Sequence, residues 1–254
     1  MKMAVIGCGL IGGSMALSWK RAGIVDEVIA FGHNPATLQK ALDKGAADTV
    51  TTSMEEAVKD ADIVVSAVPV EAMESVFTEM APFLKSDAVV TDVGSTRQTV
   101  IAAARKGLGD KFHQYAPAHP IAGGEMPGVD YASADLFDEK VVISTPDEGM
   151  DPKVVTFIEE AWRKAGARVQ AMSPLQHDLT FASVSHLPHV LAYALVDMIA
   201  REENAQEKLK MAGAGFRDFT RIASSSPVMW RDICLSNREA LSHELKRYRA
   251  SLDT

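Results

Sequence analysis

A serine and a histidine stand just beyond the ends of two predicted strands, where open α/β sheets carry their ligands. Ser95 follows the strand predicted for residues 88–92, and His119 follows the strand predicted for residues 114–118. A histidine in that position can remove a hydroxyl proton while a hydride leaves the same carbon. A single histidine is more often structural, but the neighbouring Ser95 favours His119 as a general base.

A glycine-rich turn at the start of the chain has the spacing of a dinucleotide-binding loop. Gly7, Gly9 and Gly12 follow a short apolar run and precede a stretch that is compatible with a helix. In this pattern the first glycine makes a tight turn, the second lets the backbone approach a pyrophosphate, and the third lets helix and strand pack closely. The alternative is a turn that binds no ligand. Four further residues are assigned to the cofactor site: Leu10, Ile11, Val68 and Pro69.

The end of the second predicted strand lacks the acidic residue that usually selects NAD. In NAD-binding sheets an Asp or Glu about 20 residues after the glycines binds the ribose 2′-hydroxyl and repels a 2′-phosphate. Here the strand runs into Gly32, His33 and Asn34. His33, Asn34 and Thr37 supply hydrogen-bond donors for a 2′-phosphate, although no arginine lies nearby. The sequence favours NADP, with NAD accepted; the alternative is that these residues only form the turn before the next helix.

The second half of the chain carries three further groups of polar residues. They are His177-Asp178, Ser185-His186-Leu187-Pro188-His189 and Gly215-Phe216-Arg217-Asp218-Phe219-Thr220-Arg221. His189, in the first turn of a predicted helix, is placed to meet an anionic substrate. Arg217 and Arg221 share a helix face because they are four residues apart, so one can pair with a neighbouring carboxylate and the other with a substrate carboxylate. The spacing leaves open which arginine does which.

The composition is that of an ordinary globular protein and narrows the range of partners. The 254 residues are 47% hydrophobic and 24% charged, with a formal net charge of −8. An acidic chain is poorly suited to nucleic acid, whose phosphates require a basic face. Two cysteines, Cys8 and Cys234, cannot form a disulfide framework, which fits a reducing cytoplasm.

The sequence also gives expectations about location. The first residues enter a strand without a basic and apolar leader, and no apolar run reaches the roughly 18 residues of a membrane helix. We therefore expect a cytoplasmic protein without a membrane segment, and we assign no metal site.

Strand and helix signals alternate up to about residue 172. Strands are predicted at residues 3–6, 27–31, 48–51, 63–67, 88–92, 114–118, 141–144 and 168–171. Helical patterns separate most of them, and Ser53 with Glu56 predicts a capping box at the start of one helix. This alternation predicts an α/β fold with a Rossmann-type, doubly wound parallel sheet and right-handed crossovers.

Beyond this point the pattern is helical. Helices are predicted at residues 175–185, 188–201, 207–211, 216–223, 227–237 and 238–251. We therefore predict a dinucleotide-binding domain over residues 1–172 and an all-helical domain over residues 173–254. The first helices of this domain of about 80 residues have broad apolar surfaces, and we expect part of these surfaces to be buried against a second subunit.

Five motifs follow one another along nearly the whole chain. They are Gly7-x-Gly9-Leu10-Ile11-Gly12, Asp92-x-Gly94-Ser95, His119-Pro120-Ile121-Ala122-Gly123-x-Glu125, Ser185-His186-Leu187-Pro188-His189, and Asp218-Phe219-Thr220-Arg221-Ile222-Ala223 followed by Met229-Trp230-Arg231-Asp232. Together they resemble the prephenate/arogenate dehydrogenase family of tyrosine biosynthesis. With no chorismate-mutase segment before them and no regulatory extension after them, we expect a stand-alone dehydrogenase core.

The resemblance implies oxidative decarboxylation of prephenate to 4-hydroxyphenylpyruvate, or of arogenate to tyrosine. His119 would accept the C4 hydroxyl proton while hydride passes to the nicotinamide, and Ser95 would orient His119 and the hydroxyl. The loss of CO2 would be driven by aromatisation, and Arg221 would bind a substrate carboxylate. The other substrate-binding residues that the family pattern implies are His189, Trp230 and Glu125. The resemblance also implies a homodimer through the helical domain and raises tyrosine as an inhibitor.

Two other functions compete with this interpretation. A β-hydroxyacid dehydrogenase normally takes its acid and base from a lysine on the first long helix of the second domain, but residues 181–193 contain no lysine. A non-catalytic NADP sensor would keep the three glycines but would not need Ser95, His119 and Arg221 together. The choice between prephenate and arogenate stays open, because Glu125, a partner for an ammonium group, belongs to the family motif itself.

Overall fold

The computed structural model describes residues 1–124 and 126–254. The chain forms two compact units, Met1–His177 and Asp178–Thr254. The sequence pattern places the domain boundary slightly earlier, between residues 172 and 173, where the helical pattern begins. The two units are described in turn.

A six-stranded sheet forms the centre of the first unit. Its strands are β1 (Lys2–Ile6), β2 (Glu27–Phe31), β3 (Thr49–Thr51), β4 (Ile63–Ser66), β5 (Val89–Asp92) and β6 (Tyr115–Ala116). The strands are all parallel and lie in the order β3-β2-β1-β4-β5-β6. This is the strand order of the dinucleotide-binding Rossmann fold, so the predicted fold class is confirmed.

Helices cover both faces of this sheet. They are α1 (Leu10–Arg21), α2 (Pro35–Asp43), α3 (Met54–Val58), α4 (Met73–Met80), α5 (Gln98–Leu108) and α6 (Pro152–Lys164). Side chains alternate along a strand, so Met3 and Val5 of β1 enter one apolar cluster, whereas Ala4 and Ile6 enter another. Because both faces are buried, the central strands are apolar at nearly every position.

A second, three-stranded sheet follows the first. It contains β7 (Ala118–Pro120), β8 (Val141–Ser144) and β9 (Arg168–Ala171), with β7 antiparallel to β8 and β8 parallel to β9. The sequence predicted one strand over residues 114–118 and a single sheet, and both predictions are wrong. Pro117 lies between β6 and β7. Because proline has no N–H to donate to a ladder, the strand breaks there and its second part joins another sheet.

The remaining elements are helical. They are α7 (Pro174–Phe181), which crosses from the first unit into the second, α8 (Leu187–Ala200), α9 (Ala205–Lys210), α10 (Ala214–Thr220), α11 (Pro227–Ser236) and α12 (Arg238–Leu252). No strand occurs among the described residues of the second unit. The predicted all-helical character of this part of the chain is confirmed.

The sequence predicted a break between two helices before Pro188, but the chain continues as one helical segment. Residues Ala182–His186 form a π-helical segment that joins α7 to α8. Pro188 has no backbone N–H, and in an α-helix that missing donor would have bonded to Val184, inside the π-helical segment. The π-helical hydrogen bonds, which span five residues, therefore lie where an α-helical hydrogen bond from Pro188 could not form.

This continuous segment corrects an expectation about membrane helices. Residues Pro174–Ala200 form a helix of 27 residues that is long and apolar enough, by length and composition alone, to cross a bilayer. Only 22% of its most apolar stretch is buried inside the chain. The sequence showed no such segment because it was read as two shorter helices.

Candidate active site

Each of the three glycines at the end of β1 has a distinct environment. Gly7 has φ +94°, and a Cβ there would lie 2.7 Å from the carbonyl oxygen of Ala67. A Cβ on Gly12 would lie 2.4 Å from the carbonyl oxygen of Gly7, which leaves no room for a side chain. At Gly9, by contrast, a Cβ would meet nothing within 4 Å among the described residues. The first and third glycines therefore permit the tight turn, and the second leaves open space beside the backbone.

The start of α1 faces this turn with unpaired donors. Gly9 precedes the helix, and among the described residues no side chain caps it. The first N–H groups of an α-helix have no partner within the helix, and the helix dipole makes this end attractive to anions. Leu10 and Ile11 open the helix, and no carboxylate lies in its first turn. The turn and the helix start therefore fit a pyrophosphate.

Val68 and Pro69 lie near the same turn. A Cβ on Gly7 would come within 3.1 Å of Cγ1 of Val68, so Val68 lines the turn directly. Pro69 follows and precedes a short 3₁₀ turn, Val70–Ala72. The end of β4 thus brings the predicted residues beside the glycines.

At the end of β2, Asn34 begins α2. Its side-chain oxygen accepts hydrogen bonds from the N–H groups of Ala36, at 2.9 Å, and Thr37, at 3.4 Å. Part of the alternative interpretation of this turn is therefore correct, because Asn34 is a helix cap. Its amide nitrogen and the exposed His33 remain as donors for a ligand. Among the described residues, a Cβ on Gly32 would meet only the side chain of Leu38, at 3.4 Å, so the position has room for a larger residue.

A buried ion pair fixes the turn between β5 and α5. Both oxygens of the Asp92 carboxylate accept hydrogen bonds from Arg97, each at 2.8 Å, and both side chains are 0% exposed. The hydroxyl of Tyr115 donates to Asp92 at 2.6 Å. Burial, and then the negative charge of Asp92, raise the pKa of Tyr115 well above its ordinary value, so its hydroxyl stays a donor.

Arg97 also links the two predicted reactive residues through main-chain atoms. Its guanidinium donates to the carbonyl of Gly94 at 2.8 Å and to the carbonyl of Ala118 at 3.3 Å. Ser95 is the next residue after Gly94, and His119 is the next residue after Ala118. One buried cation therefore holds both backbones in place.

His119 contacts a second histidine. Nδ1 of His119 lies 2.8 Å from Nε2 of His177, near the start of α7. His119 is half-buried, and His177 is fully buried. The sequence grouped His177 with the polar residues of the helical half without assigning it a role at the site.

The segment after His119 returns along α1. A Cβ on Gly124 would lie 3.4 Å from the side chain of Leu10, and the N–H of Ser133 donates to the hydroxyl of Ser14 at 3.0 Å. The segment thus passes beside the glycine turn. Glu125, which the sequence assigned to the substrate pocket, lies outside the described residues.

In the second unit, His189 stacks on Trp230. Their ring centroids are 3.5 Å apart and the ring planes differ by 17°. Nδ1 of His189 lies 2.9 Å from the carbonyl of Ser185, to which it can only donate. Burial lowers the pKa of His189, and this hydrogen bond partly opposes the effect. Among the described residues, no acceptor meets the buried indole N–H of Trp230, which leaves that donor for a ligand.

Arg221 lies in a turn held against the helix of His189. It begins the 3₁₀ turn Arg221–Ser224 that follows α10, and it is exposed. The hydroxyl of Tyr193, one turn after His189 on α8, donates to the carbonyl of Ser225 at 2.6 Å. The turn and α8 therefore form one local structure.

The structure thus places the predicted residues in two groups. The first unit joins the glycine turn, the Ser95 turn and His119; the second joins His189, Trp230 and the turn that carries Arg221. Sequence reasoning missed the roles of Arg97 and His177. Arg97 lies two residues after the motif Asp92-x-Gly94-Ser95, which was a possible signal, but its partner Tyr115 is distant along the chain.

Comparisons with known proteins identify the family to which the chain belongs. Residues 15–171 match the family model described as "Prephenate dehydrogenase, nucleotide-binding domain", and residues 173–254 match "Prephenate dehydrogenase, dimerization domain". Among curated proteins, the chain is 37% identical over 252 residues to a cyclohexadienyl dehydrogenase of Zymomonas mobilis, covering 98% of this chain and 85% of that protein.

Solved structures are similar over the full length. Prephenate dehydrogenase from Aquifex aeolicus, in complex with hydroxyphenyl propionate and NAD⁺, has a TM-score of 0.93 and 36% identity, covering 100% of this chain and 88% of that one. Arogenate dehydrogenase from Synechocystis has a TM-score of 0.82 and 28% identity, covering 100% and 90%. The similarity therefore includes both units of the chain.

Proposed function

Because the chain belongs to the prephenate dehydrogenase family, we propose that it oxidatively decarboxylates a cyclohexadienyl acid, prephenate or arogenate, in tyrosine biosynthesis. The observation that carries this proposal is the link that Arg97 makes between the turn of Ser95 and the strand of His119. It holds the main chain at Gly94 and Ala118, which are the neighbours of Ser95, just after β5, and of His119, within β7 rather than beyond a strand end.

His119 accepts the proton of the substrate C4 hydroxyl, and Ser95 orients that hydroxyl and the imidazole. A bound nicotinamide supplies the hydride acceptor. The ring carboxylate then leaves as CO2, because its loss makes the ring aromatic. The main-chain N–H groups at the start of α1 hold the pyrophosphate of the cofactor.

The residues of the second unit bind the charged groups of the substrate. Arg221 pairs with a carboxylate, since an unpaired charge in a dry site costs several kcal/mol. The indole N–H of Trp230 is a further donor, and His189 provides a second polar contact. We keep Glu125 as a pocket residue on the basis of its motif alone.

The end of β2 favours NADP over NAD. Gly32 stands where NAD-binding sheets carry a carboxylate, and His33, the amide of Asn34 and Thr37 are donors for a 2′-phosphate. The relative from Aquifex aeolicus was solved with NAD⁺, so both cofactors belong in the test.

The chain acts as a cytoplasmic homodimer in this proposal. The second unit exposes several large apolar side chains, and the helix over residues 174–200 is mostly unburied. Large exposed apolar surfaces mark sites of association, and the family model names this unit a dimerization domain. A partner subunit explains the apolar helix without a membrane. Tyrosine, which resembles the products, is a candidate inhibitor.

A four-way initial-rate assay tests the function. Prephenate and arogenate are each offered with NAD and with NADP, and formation of the reduced cofactor is followed. We expect turnover, with NADP ahead of NAD. If no reduced cofactor forms in any of the four combinations, although the protein still binds a dinucleotide, the result would favour the hypothesis of a non-catalytic sensor.

Replacement of the proposed base, His119, tests its role in turnover. We expect His119→Asn to lower kcat by about 10²-fold or more, because general-base catalysis contributes that much. Cofactor affinity and melting temperature should stay at the wild-type values. Retention of full kcat would remove His119 from the mechanism.

A further inference from the structure

The contact between His119 and His177 joins the proposed base to a residue without an assigned role. The two nitrogen atoms are 2.8 Å apart, within hydrogen-bond distance. The ring centroids are 5.0 Å apart and the planes differ by 60°, so the rings do not stack. His177 is 0% exposed. A contact this short between two imidazole nitrogens requires one to donate a proton and the other to accept it.

The second sheet brings His177 to this position. His119 on β7 pairs with Ile143 on β8, and Ile143 pairs with Gln170 on β9. Ser173 follows β9, and its carbonyl accepts a hydrogen bond from the N–H of His177 at 3.0 Å. Regular main-chain bonds therefore fix His177 from the same sheet that carries His119.

We propose that His177 is a positioning residue that accepts a hydrogen bond from Nδ1–H of His119 and so keeps Nε2 of His119 free of a proton. The inference rests on the proposed function, in which His119 is the base. A neutral imidazole carries one proton, and with that proton on Nδ1 the lone pair of Nε2 is available to the substrate hydroxyl. If His177 donated instead, the proton of His119 would lie on Nε2, and His119 could not accept another there.

The same bond stabilises His119 after proton transfer. The O–H bond of the substrate breaks, an N–H bond forms at Nε2, and the proton on Nδ1 stays where it is. A bound nicotinamide would take the hydride from C4, and CO2 would depart in the reaction already proposed. His119 then carries a positive charge, which makes its bond to His177 charge-assisted and stronger.

Two variants separate this role from packing. His177→Leu removes the acceptor but leaves an apolar side chain in the buried site, whereas His177→Gln retains an oxygen acceptor about as far from the backbone as Nε2. We expect kcat to fall about 100-fold in His177→Leu and to recover at least about tenfold in His177→Gln. KM for the substrate and cofactor affinity should change by less than about twofold. His113→Leu, on the exposed surface, is the control and should match the wild type.

Nitrogen NMR of the protein with ¹⁵N-labelled histidine reads the tautomer without any turnover. The signals of His119 are assigned by their absence in His119→Asn. We expect wild type and His177→Gln to carry the proton of His119 on Nδ1, and His177→Leu to shift it towards Nε2.

The outcomes separate this proposal from the proposed function. A wild-type spectrum with the proton of His119 on Nε2 overturns the role of His177, whether or not the protein turns over a substrate. Equal kcat values in His177→Leu and wild type also overturn it, as does an equal loss in the Leu and Gln variants with unchanged melting temperatures. If His177→Leu does not fold, kcat of His177→Gln and the wild-type spectrum still test whether His177 accepts the hydrogen bond from His119.

Discussion

At the residue scale, the proposed preference for NADP depends on Gly32. A side chain fits there, because a Cβ would meet only Leu38, at 3.4 Å, in the part of the chain that the structure describes. We expect Gly32→Asp to raise KM for NADP by more than about tenfold, because a carboxylate beside the 2′-phosphate costs several kcal/mol. KM for NAD should stay the same or fall, and initial rates with both cofactors measure the change.

Gly32→Asn is the matched control, since it has the shape of aspartate without the charge. It should affect the two cofactors nearly equally. If the Asn and Asp variants discriminate alike, shape rather than charge selects the cofactor, and the argument from the missing carboxylate is wrong.

Residue roles were predictable where their physical cause is local. Gly7 and Gly12 were identified from spacing, and their crowding against Ala67 and the turn itself explains why. The role of Arg97 was not predictable, because it depends on Tyr115 and Ala118, which reach it only through the folded sheet. The proposed role of His177 likewise depends on the second sheet.

At the scale of elements, α4 and α5 pack at close range around Gly107. A Cβ on Gly107 would lie 2.6 Å from Cβ of Phe77 and 2.9 Å from the backbone nitrogen of Thr78. We expect Gly107→Ala to lower the free energy of unfolding by about 1–3 kcal/mol, because backbone atoms cannot move aside. Denaturant titration measures the change.

Gly215, in α10, provides the contrast. A Cβ there would meet nothing within 4 Å among the described residues. Gly215→Ala should be neutral or raise stability by up to about 1 kcal/mol, through the helix propensity of alanine. Equal destabilisation by the two substitutions would show that close packing at Gly107 is not the cause.

The buried pair of Asp92 and Arg97 joins three strand ends. We expect Arg97→Met to destabilise the protein by about 3–5 kcal/mol, because it leaves Asp92 buried without its cation. Thermal denaturation gives the measurement, and Lys106→Met is the control, since Lys106 and its partner Glu74 are both exposed. A wild-type melting temperature for Arg97→Met would mean that the pair with Arg97 does not stabilise the fold.

Helices and strands could be predicted from the pattern of apolar residues. The prediction failed where a single residue or hydrogen bond changes the course of the main chain. The alternation of strands and helices gave the Rossmann sheet, but Pro117 divides one predicted strand between two sheets. The capping box at Ser53 is half correct. Its hydroxyl accepts from the N–H of Glu56 at 3.3 Å, while the Glu56 carboxylate accepts from Thr51 at 2.7 Å.

At the scale of the whole molecule, the second unit determines assembly in our proposal. We expect light scattering to give twice the 27.4 kDa of one chain at micromolar concentration. Met198→Glu, on the exposed side of α8, should shift the protein towards monomer, because it buries a charge against a partner. Phe83→Glu, on the exposed surface of the first unit, should leave the dimer intact.

A wild-type monomer under these conditions would contradict the proposal, and the apolar helix would then need another partner. Equal effects of the two substitutions would mean that α8 is not the contact surface.

The π-helical segment between α7 and α8 makes chain length at this point as important as residue type. A π-bulge corresponds to one residue inserted into an α-helix. Deleting one residue from 182–186 would close this wider turn into a regular α-helical one, in which the N–H that Pro188 lacks would be required as a donor. Substitutions here leave the number of residues in the wider turn unchanged, whereas a one-codon deletion would remove that turn. In evolution, this segment is therefore expected to tolerate substitutions better than deletions.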